Sequence, residues 1–182
     1  MTQLSENINS QELSDLINNS EQEKIADFIY DRFYERYIRP IESLDRKDKN
    51  GFSIMAVSCL MIESLISFKN GWEDTKNKSE KAFRLFLTTE PEFVAFKEIS
   101  KPFYVNVRCG ILHQSETTSG WKIQRKGEIY NSSTKTINAT LFLKGLKKTL
   151  ENYRNKLKNA EWDSSDWDNL RRKLRMIIKN CQ

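Results

Sequence analysis

Histidine is almost missing from this chain: His113 is the only one among 182 residues. A catalytic histidine pair within one chain is therefore excluded, and an imidazole-based zinc site has too few ligands. Cysteine is nearly as scarce. Cys59, Cys109 and Cys181 are odd in number and show no C-x-x-C spacing, so they indicate neither a metal cluster nor a disulfide framework. Neither metal nor cofactor is expected. A glycine-rich phosphate loop, a Walker pattern and a G-x-S-x-G elbow are all absent from the sequence. With only six Gly and three Pro, turn punctuation is sparse, which favours long helices over many short strands. The first residues lack a basic region followed by an apolar run, and no stretch is expected to reach the roughly 18 apolar residues of a membrane span. The expectation is a soluble, reduced, cytoplasmic protein with no membrane partner.

The residues that are plentiful point to helices. Apolar residues make up 38% and charged residues 30%, a balance that suits a globular helical domain with a solvated surface. The net charge of +5 is unevenly spread. Residues 1–23 hold Glu6, Glu12, Asp15, Glu21 and Glu23 with no Lys or Arg, whereas 144–182 hold eleven basic residues against five acidic ones. The polar, acidic residues 1–20 read as a flexible lead, and 21–182 as one domain. A basic C-terminal helix bearing Arg171, Arg172 and Lys173 has the charge to attract phosphates, although a solvated helix face has the same composition.

Apolar spacing of three and four places helices along most of the chain. Ile25, Phe28, Ile29, Phe33, Tyr37, Ile38 and Ile41 form one stripe, which Pro40 should kink or end near Arg39. Asp45–Gly51 reads as a charged loop. Phe52–Phe68 is apolar on nearly every face and reads as the central helix, closed by Asn70-Gly71. Its only charge, Glu63, needs solvent or a partner such as an Arg. Residues 79–88 form a short helix, and Thr89-Glu-Pro-Glu92 resembles a capping box opening another. A further helix begins near Ser100 and runs to about His113. After Gln114 the period changes. Trp121–Ile123 and Glu128–Tyr130 alternate about Arg125-Lys-Gly127, predicting a β-hairpin near 121–137 that Lys135–Ile137 extends. Asn138–Thr140 restarts a helix with Leu141, Leu143, Leu146, Leu150, Tyr153 and Leu157 on its stripe. A last helix begins near Ser164. The predicted fold is mainly α: a bundle of four to five main helices with a small inserted β-hairpin.

The chemistry concentrates in Val107-Arg-Cys-Gly-Ile-Leu-His-Gln114. Arg108 offers a permanent planar donor fork suited to phosphate, and His113 exchanges a proton near neutral pH. Together they meet the needs of metal-free RNA cleavage: a base for the 2′-OH, an acid for the leaving 5′-oxygen and a cation for the phosphorane. One histidine does not readily serve as both acid and base, but a homodimer supplies two. Five residues of ideal helix turn through about 500°, leaving the two side chains about 140° apart. A helix-end His bonded to backbone is the plainer alternative. Asn106, Gln114 and Glu116 flank the pair as candidate substrate contacts or ordinary surface residues. Trp121 and Tyr130 are candidates to stack on bases or to seal the hairpin.

A helical bundle with Arg-x4-His near the end of a late helix resembles the HEPN superfamily, over roughly residues 20–160. The resemblance implies a domain that pairs as a dimer. It also implies a metal-independent endoribonuclease of toxin–antitoxin, phage-defence or RNA-processing systems, or a relative without activity that serves as an RNA-binding or protein-interaction module. By that resemblance Arg108 is the phosphate ligand and His113 the acid or base, and an antitoxin or adaptor is a conceivable protein partner. Active families often place a polar residue, commonly Asn, after the Arg; here Cys109 stands there.

Overall fold

The computed structural model describes residues 2–45 and 47–181. It is mainly helical with a small three-stranded sheet. At its centre lies α4 (Gly51–Lys69), which packs against α5 (Ser79–Thr89), α8 (Ala139–Asn159) and α9 (Ser165–Lys179). Ile54, Met55, Cys59, Met61, Ile62, Leu65 and Ile66 of α4 are buried, as an all-round apolar helix requires. By length and composition α4 is apolar enough to cross a membrane, contrary to the expectation that no stretch would be. Its surroundings identify it as a core helix, since 56% of that stretch is buried inside the fold. It ends where Asn70 caps it and Gly71 turns left-handed at φ +61°, against the backbone of Asn169.

The acidic lead is part of the fold, contrary to expectation. Ser10–Asn18 forms α1, opened by a capping box in which Asn9 accepts from the Glu12 N–H and Glu12 accepts from the Asn9 N–H. Leu4, Leu13 and Ile17 are buried, and both Arg32 and Arg36 donate to the Leu4 carbonyl at 2.6 and 2.7 Å. Burial and the neighbouring Arg36 lower the Arg32 pKa to about 10. The apolar trio and two cations on the next helix thus hold a segment whose composition is polar.

Helix α2 (Gln22–Phe33) carries the predicted stripe. Pro40 does not end it. The chain first widens into a π-turn, Tyr34–Ile38, where the Arg39 N–H reaches the Tyr34 carbonyl, and then continues as α3 (Arg39–Glu42). Widening ahead of Pro40 accommodates a residue that has no N–H and whose ring crowds the preceding turn.

The capping box predicted at Thr89–Glu92 does not form. The Thr89 hydroxyl donates back to Leu85, and Glu92 accepts instead from Asn152 and Thr149 of α8. The segment that follows is a 3-10 helix, Pro91–Ile99. It feeds Phe93 and Phe96 into an aromatic core with Phe83, Phe86, Phe103 and Phe142.

The predicted small β insert is present, but its strands pair in a different order. Strands β1 (Lys122–Gln124), β2 (Tyr130–Asn131) and β3 (Thr136–Asn138) lie in the order β1-β3-β2, with β3 parallel to β1 and antiparallel to β2. The reason is burial: all three β3 residues are buried, so it takes the centre and separates the two half-exposed strands. Asn138 then joins sheet to helix. Its side chain donates to the Gly127 carbonyl and accepts from the N–H groups of Thr140 and Leu141, capping α8.

Candidate functional site

Arg108 and His113 lie on one rod made of α6 (Ser100–Phe103), a π-turn (Tyr104–Arg108) and α7 (Cys109–Gln114). Single π-turns inside α-helices are frequent at functional sites because they rotate the following side chains out of regular register. Here the Cys109 N–H reaches the Tyr104 carbonyl, and Arg108 is the last residue of the wide turn.

The Arg partner sought for Glu63 is Arg108. Its Nε and Nη2 both donate to Glu63 Oε1 at 2.7 Å, while Glu63 Oε2 accepts from the Thr75 hydroxyl at 3.2 Å. The two charged side chains are only 16% and 13% exposed, so the pair sits largely out of water. Its guanidinium lies over the Tyr104 ring, 5.6 Å from the centroid. Burial alone would lower the Arg108 pKa, but the Glu63 charge and hydrogen bond, with Cys109 Sγ beside it, carry it above its ordinary value. Among the described residues its Nη1 faces only the weak acceptor Cys109 Sγ at 3.9 Å, which leaves that edge of the fork uncommitted to a strong partner. Cys59 lies beneath the pair, fully buried, its thiol pushed well above the usual range by desolvation.

His113 has a different environment. It is exposed, and among the described residues its imidazole makes no hydrogen bond. The plainer reading of a helix-end His bonded to backbone is not what the structure holds. Nor does the structure bring Arg108 and His113 together within the chain, since Arg108 turns inward to α4 while His113 faces solvent on the last turn of the rod.

Gly110, between them, has a specific task. After Gln114 the chain reverses at Ser115 (φ 55°), and the Glu116 N–H returns to the Gly110 carbonyl at 3.4 Å. A Cβ at Gly110 would stand 2.4 Å from the Glu116 carbonyl oxygen. Glycine is what lets this turn lie on the rod beside His113.

The flanking candidates divide. Gln114 is exposed and stands beside His113. Glu116 is exposed, with Oε1 accepting from the Thr117 N–H and hydroxyl. Asn106 is committed to structure: its Nδ2 donates to Pro102, and its Oδ1 and backbone carbonyl accept from Thr118. Trp121 is buried, stacked on Tyr130 at 5.4 Å and edge-on to Phe103. It seals the sheet against the rod and is not available to a base. The basic C-terminal helix is partly spent as well. Arg171 donates to the Trp162 carbonyl and pairs with Asp168, and Lys173 is buried with its ammonium on the Glu73 carbonyl. Arg172 remains exposed.

Sequence reasoning missed Tyr104 and Thr75 as the groups that frame the pair. Tyr104 was visible in principle, four residues before Arg108; Thr75 lies in a loop and carries no local signal. No group of three or more His, Cys, Asp or Glu side chains gathers as a metal site among the described residues. Comparison of the chain with family models, curated proteins and solved structures returns no match.

Proposed function

We propose that this chain is a HEPN-like protein that cleaves RNA without a metal, using Arg108 and His113 from two copies in a homodimer, in the manner of a toxin or phage-defence nuclease. The observation that carries the reading is the contrast on one rod: Arg108 is fixed with an uncommitted Nη1 edge, and five positions on, the chain's sole imidazole stands free in solvent. Val105 and Leu112 on the same rod are 47% and 38% exposed, which supplies an apolar stripe for a second copy beside the two polar groups.

In a paired site, one imidazole takes the 2′-OH proton as O2′ attacks phosphorus. The second protonates the departing 5′-oxygen, and Arg108 Nη1 donates to the phosphorane oxygens. The products are a 2′,3′-cyclic phosphate and a 5′-hydroxyl. Purified protein is to be incubated with RNA in EDTA. Cleavage with cyclic-phosphate ends that disappears in His113→Ala supports the reading; absence of any His113-dependent cleavage contradicts it.

The Glu63–Arg108 pair also favours a second reading, a HEPN-like RNA-binding or protein-interaction module without activity, because half of the guanidinium fork is already occupied. On that reading RNA is bound but left intact, and His113→Ala is silent.

A further inference from the structure

A cleft of about 390 Å³ opens where the loop after α3 meets β1 and the start of α4. That volume falls within the roughly 300–1,000 Å³ of small-ligand sites. Lys47, Lys49, Arg125 and Lys126 line it against one carboxylate, Asp48, and Phe52 gives it a half-buried aromatic wall. Among the described residues none of these four cations has a carboxylate within ion-pair distance. Arg125 is held in place by neutral groups, its Nε on the Thr140 hydroxyl and its Nη1 on Asn50 Oδ1. Its charge is therefore positioned but not neutralised. In taking that oxygen, Arg125 also removes the side-chain cap from α4, whose N-cap Asn50 makes no capping hydrogen bond. The helix start adds its partial positive charge to the four cations.

We infer that this cleft holds the phosphodiester backbone of single-stranded RNA, with Phe52 as the face on which a base rests. Unpaired cations beside an aromatic surface are the combination that single-stranded nucleic acid needs, since phosphates take the charge and bases take the ring. The position fits the site already described. Phe52 and Glu63 are eleven residues apart on α4, about 17 Å along its axis and within about 20° around it, so one strand lying in the cleft can extend toward Arg108. The choice of RNA rests on the proposed function; the binding itself does not require cleavage.

The test uses the full chain and a labelled single-stranded oligoribonucleotide carrying 2′-O-methyl groups, which cannot be cleaved, followed by fluorescence anisotropy over a range of salt. Lys47→Glu/Lys49→Glu/Lys126→Glu should weaken binding at least on the order of tenfold and reduce the slope of log affinity against log salt by about 2, three contacts at ~0.7 each. All three lysines are exposed, so melting should not change; if it does, Lys→Gln at the same positions should show the same change in slope. Unchanged affinity and slope in the lysine variants, or no binding by the wild type at low salt, would overturn the inference. So would displacement of the oligonucleotide by inorganic phosphate at equal phosphate concentration, which would assign a free-anion site instead. Loss of binding in the lysine variants with no cleavage by the wild type leaves the cleft standing and removes only the nuclease reading.

Discussion

Arg108 and His113 belong to the same short motif, yet their surroundings assign them different work. Arg108 is part of the architecture. Replacing Glu63 by Leu leaves a guanidinium largely out of water with no counter-charge, which should cost about 2–3 kcal/mol, less than the roughly 3–5 kcal/mol of a fully buried broken pair because both side chains keep some exposure. Arg108→Ala orphans Glu63 in the same way and should destabilise comparably. His113→Ala should stay within about 0.5 kcal/mol of the wild type, since the side chain is exposed and has no partner among the described residues. Urea melts of the three variants check this. Equal destabilisation by His113→Ala would show that the imidazole is structural after all. That Glu63 needs either solvent or a cation was legible from its isolation in an apolar run. That Arg108 would supply it was not, because the π-turn that aims Arg108 at α4 leaves no mark in apolar spacing.

At the scale of elements, the rod and the turn laid on it form one unit. Gly110→Ala would set a methyl against the Glu116 carbonyl, and the turn has to lift. The cost should be about 1–3 kcal/mol, with the backbone beside His113 displaced. Any activity should fall together with faster amide exchange across residues 115–118; a variant as stable and as protected as the wild type would contradict the contact. Helices α2, α4, α8 and α9 were legible because each carries a stripe or an all-round apolar run long enough to define its period. Three things escaped for different physical reasons. Helix α1 and the residues before it are held by a few apolar side chains and by arginines 28 and 32 residues beyond Leu4, so their composition looks like a free lead. Thr89 and Glu92 have the spacing of a capping box, but α8 offers Glu92 better donors. The order of the strands depends on which is most buried, and Thr136-Ile137-Asn138 looks no more apolar than its neighbours.

Taken whole, the molecule surrounds one apolar helix with amphipathic ones. Half-exposed Val105 and Leu112 lie on the rod that carries Arg108 and His113, and a basic cleft opens at the start of α4. The charge excess at the C-terminus, prominent in the sequence, proves partly internal, because Arg171 and Lys173 bind backbone carbonyls. The free cations of the cleft instead come from two loops far apart in the chain, Lys47 and Lys49 in one and Arg125 and Lys126 in the other, which only folding unites. The proposed site needs imidazoles from two copies, and that requirement can be measured directly. Wild-type and His113→Ala chains carrying different tags are co-expressed in varied ratios, purified together and assayed for RNA cleavage in EDTA. A site composed of both histidines predicts activity that falls with the square of the wild-type fraction. Activity that falls linearly, or cleavage that does not depend on His113 at all, would contradict it.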